Sequence, residues 1–228
     1  MYTARRTALT AGILYLITHV TSVVTRLFLY NVPLADPDYL VTGGRHDAIA
    51  LGSVLEVMLA LAVVGTSVAL YPIVRRASEG FAIGYVALRV VEGGVILVGV
   101  VAMVAYNAIE AEIAAGADPT VLLPIGHSLV SLYDWSFVVG PGLVCGVNTV
   151  VLAWVLFRSS LVPRFIPVLG LIGGPLVLAV NLTKIFGTFD SLPGFVGVSV
   201  LPIFAWEICL AVYLIARGPK SSRLLPAE

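Results

Sequence analysis

Six stretches of this chain, roughly 7–30, 48–71, 81–106, 134–157, 162–186 and 195–216, each run for more than twenty residues with few charged side chains. A helix needs about 20 mostly apolar residues to cross the hydrocarbon of a bilayer. Strands of a membrane barrel would alternate apolar and polar residues, and these runs are continuous, so helices are predicted. Composition removes the alternatives. Hydrophobic residues are 59% of the 228 and charged residues 11%, where a soluble domain carries about 25% charged. A water-soluble globule of this size cannot bury so much apolar surface. A cytosolic enzyme, a disordered chain and a disulfide-rich secreted module are excluded. The expected fold class is all-α: a polytopic membrane protein, a bundle of six transmembrane helices folded as one domain.

Polar punctuation separates the spans. Asn31-Val-Pro33 and Asp36-Pro37-Asp38 end the first, and Arg75-Arg76-Ala-Ser-Glu79-Gly80 divides the second from the third. Arg158-Ser-Ser160 and Pro163 mark a tight turn before the fifth, and Gly187 to Pro193 precede the sixth. With both termini on the cytoplasmic side, the inner segments collect Arg5, Arg6, Arg75, Arg76, Arg158, Arg164, Arg217, Lys220 and Arg223. The outer loops hold Arg45 and the acidic Asp36, Asp38, Asp47, Glu110, Glu112, Asp118 and Asp190. Positively charged loops stay inside, so a multi-pass membrane protein with both termini cytoplasmic is expected. Asn107 to Pro119 is polar and acidic and is predicted as an outer loop. Val121 to Tyr133 reads either as a short interfacial helix or as the first turns of the fourth span. The apolar run after the basic start, Met1 to Arg6, is too long for a signal-peptide core and is expected to be an uncleaved span. No internal repeat points to an inverted-repeat transporter.

Ionisable residues are costly in hydrocarbon, and inside spans they mark function by default. His19, Glu56, Arg89, Glu92 and Glu207 lie deep; Arg26, Asp134 and Lys184 lie nearer the outer ends. At 1.5 Å per residue, Glu92 is about 16 Å from the inner end of its span, Glu207 about 18 Å and Glu56 about 12 Å from outer ends. The three carboxylates are therefore expected to meet in one chamber in the middle or outer half of the bundle. Tyr15, His19, Ser22 and Arg26 share one helical stripe, as do Tyr85, Arg89 and Glu92, and Asp134, Pro141, Cys145 and Asn148. Arg89 and Glu92 can pair within one helix. Glu56, Glu207 and Asp134 then need Arg26, His19, Lys184 or bound protons. Lys184 and His127 read as interfacial, Trp135 and Trp154 as belt aromatics, and Trp206 as lining the interior. Gly142-x-x-x-Gly146 and Gly170-x-x-x-Gly174 read as close helix contacts.

Several chemistries lack their residues. A di-metal carboxylate site wants Glu-x-x-His twice, and no such pair occurs; no metal site is expected and no cofactor is named. The histidines sit at depths that do not suit haem. Cys145 and Cys209 form no C-x-x-C pair and read as ordinary thiols. A net charge of zero argues against nucleic acid. The expected partners are the lipid bilayer and a lipid-soluble small molecule, with a homo-oligomer left open. Three readings of the polar cluster remain: an intramembrane enzyme doing acid–base chemistry on an isoprenoid-like molecule, a proton-coupled carrier, or a non-catalytic subunit held together by an ion-pair network. In the first, Glu56, Glu92, Asp134, Glu207 and Arg89 carry the chemistry, and His19, Tyr85, Trp135, Asn148 and Trp206 meet the substrate.

Several motifs are familiar as a set. They are Arg5-Arg6-Thr-Ala-Leu, Asp36-Pro37-Asp38-Tyr39, Gly52-x-x-x-Glu56 and Tyr85-x-x-x-Arg89-x-x-Glu92. To these add Asp134-Trp135-x-Phe137-x-x-Gly140-Pro141-Gly142, Leu161-Val-Pro163-Arg164 with Leu169-Gly-Leu-Ile-Gly-Gly174, and Pro202-x-Phe204-x-Trp206-Glu207. Together they resemble the bacterial membrane family catalogued as domain of unknown function 4386, over essentially the whole chain. The resemblance implies a six-span, multi-pass protein of the bacterial cytoplasmic membrane and brings no established activity. The family's polar motif positions correspond here to Glu56, Arg89, Glu92, Asp134 and Glu207; His19 is less typical of it.

Overall fold

The computed structural model describes residues 4–36, 39–42, 46–188 and 193–220, leaving out the side chains of 193–199. Met1, Pro37, Asp38, Arg45, Asp190 and Arg223, which figure in the sequence reading, lie outside the described residues. The described residues are 89% helix, with no strand among them. The elements are α1 Ala4–Val24, short α2 Asn31–Ala35 and α3 Tyr39–Thr42, α4 His46–Val74, α5 Glu79–Ala114, α6 Pro119–Phe137, α7 Cys145–Ser159, α8 Phe165–Ile185 and α9 Pro193–Ala216. Five helical stretches among the described residues are long and apolar enough to cross a membrane: Ala4–Leu29, His46–Val74, Glu79–Ala114, Pro119–Ser159 and Phe165–Ile185. The part of α9 from Val200 to Ala216 is apolar but shorter.

Two boundaries depart from expectation. The outer loop predicted from Asn107 is the last two turns of α5, which ends at Ala114. Glu110 is buried there, 3.6 Å from His46, which explains how an acidic stretch stays helical. The fourth span begins at Pro119, well before residue 134, so Val121 to Tyr133 forms its first turns. Asp118 starts that helix by accepting hydrogen bonds from the Thr120 backbone N–H at 2.9 Å and hydroxyl at 2.8 Å. These bonds hold its carboxyl below the usual carboxylate range, the hydroxyl contributing most.

Pro141 does not end this rod. It has no N–H for the carbonyl of residue 137, and its ring would strike that carbonyl in a regular α-helix. The backbone answers with a π-turn over Val138–Val144 that joins α6 to α7 in one 41-residue stretch. A second π-turn, Thr25–Leu29, extends α1 and carries Arg26. At about 1.5 Å per residue, the 36 residues of α5 make a rod of roughly 54 Å, against about 30 Å of hydrocarbon. The rod is thus longer than the hydrocarbon it would cross, and the α5–α6 hairpin turns at Ala115–Ala117.

The helices close a ring: α1 packs on α4, α4 on α5, α5 on the π-turn and α7, α7 on α8, α8 on α9, and α9 back on α1. Lipid tails give helices no hydrophobic reason to associate, so small residues that allow close approach carry the contacts. A Cβ on Gly146 would lie 3.0 Å from the carbonyl oxygen of Gly174, and one on Gly174 2.8 Å from that of Gly146. Gly12 similarly abuts Ala211 and Ile215, closing α1 on α9. Arg5 tightens this seam by donating to the Leu214 and Ile215 carbonyls at 2.8 and 2.6 Å, which lack helical partners at the end of α9. One apolar cluster, including Leu70, Leu152, Ile166 and Leu210, fills the end where α1 begins. Another, around Tyr30, Tyr39, Met103 and Tyr106, fills the opposite end.

Candidate functional site

Between these clusters lies a cavity of about 320 Å³, walled by α1, α4, α5, the π-turn, α7, α8 and α9. Its polar end is organised by Arg89, whose side chain is 3% exposed. Steps of four and three residues bring Tyr85, Arg89 and Glu92 onto the inner face of α5. Arg89 Nε donates to the Tyr85 hydroxyl at 3.3 Å and Nη1 to Glu92 Oε2 at 3.2 Å. Nη2 donates to the Tyr15 hydroxyl at 3.1 Å and to Glu207 Oε1 at 3.4 Å. The two phenols also bond each other at 2.8 Å. Arg89 is thus fully engaged by α1, α5 and α9, a clamp rather than a vacant cation for a ligand. Asn148 of α7 donates to Glu92 Oε2 at 2.5 Å. Glu92 is held from both sides, and Glu207 faces the cavity.

His19 completes this end. Its Nδ1 lies 2.9 Å from the Tyr15 carbonyl oxygen, which can only accept, so Nδ1 carries a proton. Its Nε2 lies 3.4 Å from Glu207 Oε2. A hydrogen bond across that gap requires a proton on one of the two atoms. The ring is steadied by Phe204, edge-on at 4.9 Å. Both partners border the cavity.

Apart from Thr18, Ser22, Asn181 and Lys184, the rest of the cavity is apolar, with Leu59, Val63, Ile96, Val177 and Ile203 among its walls. Along α8, Val177, Val180, Asn181 and Lys184 share a face and line it up to its other end. Three wall residues, Val23 of α1 and Val200 and Phe204 of α9, are exposed, which puts its open side between those helices, beyond their Gly12 contact. Among the described residues no group of three or more His, Cys, Asp or Glu side chains could hold a metal ion. Both cysteines are free; Cys145 is buried in the cavity wall.

Of the residues proposed from sequence, Arg89, Glu92, Glu207 and His19 come together on this wall. The single chamber expected for three carboxylates needs correcting, because Glu56 is not in it. Glu56 accepts a hydrogen bond from the Tyr133 hydroxyl at 2.5 Å and borders a separate small void. Asp134 pairs with Arg26 at 3.3 Å in a half-exposed position. Tyr85 and Asn148 are buried behind Arg89 and Glu92 and do not border the cavity. Trp206 is fully buried against Gly170, and Trp135 is 49% exposed; neither borders it. The sequence reading gave no role to Tyr15, Tyr133 and Asn181, and took Lys184 as interfacial. The signal for the last two is the 177–180–181–184 stripe.

No significant match exists to a curated protein or to a solved structure. The family model described as domain of unknown function (DUF4386) matches residues 10–218. With all but its two ends covered by that model, and an all-helical, membrane-spanning architecture, this chain is a member of the DUF4386 family.

Proposed function

We propose that this is a six-span protein of the bacterial cytoplasmic membrane that binds a lipid-soluble, isoprenoid-like molecule and performs acid–base chemistry on it. α9 supplies the sixth span, its 24 residues being sufficient in length. Arg75, Arg76, Arg158, Arg164, Arg217 and Lys220 all flank helix ends on the side where α1 begins, which supports a cytoplasmic placement of both termini.

The observation that carries the chemistry is the His19–Glu207 pair on the wall of a cavity whose remaining lining is mostly apolar. In a low-dielectric site a shared proton is a potent acid toward an alkene, epoxide or carbonyl. Arg89 and Glu92 position Glu207 and balance charge. The cavity volume lies at the lower end of the range of small-molecule sites and suits one reacting segment of a longer apolar molecule entering between α1 and α9. A carrier would need water access from both faces. The packing of Leu70, Leu152, Trp206 and Leu210 beyond Arg89 leaves no polar route there, which favours the enzyme reading.

Mass spectrometry of lipid extracts from detergent-purified protein tests this. The native protein should retain a specific apolar small molecule, and Glu207→Gln should retain the same molecule or its unconverted precursor while remaining folded. Extracts with only bulk phospholipid, alike for both proteins, would sink the proposal.

A further inference from the structure

Glu56 differs from the other deep carboxylates. Its residue is 2% exposed, and it takes part in no ion pair among the described residues. The Tyr133 hydroxyl of α6 is its hydrogen-bond donor. Arg26 lies over the Tyr133 ring, 5.4 Å from its centre, with a buried Nη1 that has no hydrogen-bond partner among the described residues. Arg26 of the first π-turn pairs with Asp134 and stacks on Phe137, 4.0 Å from the ring centre. The Tyr30 hydroxyl pairs with Ser53 of α4 at 2.9 Å. From α5 the void beside Glu56 receives the apolar Ile96. An ionised carboxylate so placed is expensive, and holding a proton removes the cost.

That void measures about 10 Å³, and its polar walls are Glu56, Tyr133 and Ser136. About 10–15 Å³ accommodates one water, provided it finds polar partners. Ser136 gives its proton to the Tyr133 carbonyl at 2.7 Å, so its lone pairs face outward. The apolar walls Leu59, Ile96, Phe137 and Pro141 are walls of the large cavity too. The two spaces are separated by shared side chains.

We infer that Glu56 is a proton store for the large cavity, reached through one water in the small void with Phe137 as the partition. In the transfer, the Glu56 O–H bond breaks and its proton joins the water oxygen. A proton of that water passes, along further water admitted to the large cavity, to the His19–Glu207 pair once the pair has given its own away. Glu56 is left as a carboxylate held by the Tyr133 hydroxyl and regains a proton by the reverse path; no electrons move. Delivery to His19–Glu207 rests on the acid–base reading of the cavity, whereas storage at Glu56 does not.

Infrared spectroscopy of vesicle-reconstituted protein at neutral pH tests this without any ligand. A protonated-carboxyl C=O band should vanish in Glu56→Gln, persist in Glu207→Gln and shift in Tyr133→Phe. In D₂O its exchange should be several-fold faster in Phe137→Ala than in the native protein. If Glu56→Gln folds and removes no such band, storage is overturned. Should that variant fail to fold, Tyr133→Phe decides, since a band that does not shift has no Glu56 behind it. An exchange rate unchanged by Phe137→Ala overturns the route. These readouts stand apart from the lipid-extract experiment, so either idea can fall alone.

Discussion

Arg89 holds two carboxylates, two phenols and three helices in register. Replacing it with methionine leaves Glu92 and Glu207 buried without a cation, and breaking such a group from one side costs about 3–5 kcal/mol. Arg89→Met should therefore melt well below the native protein in detergent, while Glu207→Gln, which keeps its hydrogen bonds and removes one charge, should melt close to it. Equal melting temperatures for all three would show that the clamp contributes nothing to stability. Which residues share a helix face was legible from spacing alone: Tyr85, Arg89 and Glu92 step by four and three. Which helices face one another was not. Rise along a helix estimates depth and says nothing of rotation or neighbour order, so Glu56 was grouped with Glu207 at similar depth although it turns toward Tyr133.

The long helices were visible as apolar runs, yet the extents of α5 and α6 were not. Glu110 and Glu112 read as loop because burial beside His46 is a tertiary fact. Pro141 reads as part of the fourth span, yet the π-turn that absorbs it is not visible in the sequence. Two predictions belong at this scale. A side chain at the Gly146–Gly174 crossing must push α7 from α8, because the atoms in the way are backbone. Gly174→Val should cost about 1–3 kcal/mol, read as a lower denaturation midpoint, and an unchanged midpoint would mean that the helices are not in contact. The Asp118 cap carries a pH signature. Its carboxyl is held below its ordinary value in the folded chain, so its contribution is present above the unfolded carboxylate range and fades as pH falls through the lowered value. Asp118→Ala should destabilise at neutral pH, with the difference from the native protein shrinking in acid; a difference that grows in acid would contradict the cap.

At the scale of the whole molecule, the ends of α5 should lie on opposite sides of the membrane. In a Cys209→Ala background, a membrane-impermeant maleimide applied to intact cells should label Ala115→Cys and spare Gly80→Cys; the reverse pattern would invert the proposed topology. The ring order of the helices explains why a small chain has room for a central cavity at all. Each helix meets its two neighbours around the circumference, so the middle must be filled by side chains, and where Leu59, Ile96 and Val177 stop short it stays open.

The α5–α6 hairpin, built on a rod longer than the hydrocarbon, has a practical corollary. Two continuous rods anchor its tip, so a rigid soluble partner spliced into the Ala115–Ala117 turn would inherit the orientation of the bundle. That would turn a protein with almost no mass outside the bilayer into a particle that can be aligned in electron micrographs, with the wall of the cavity left unaltered.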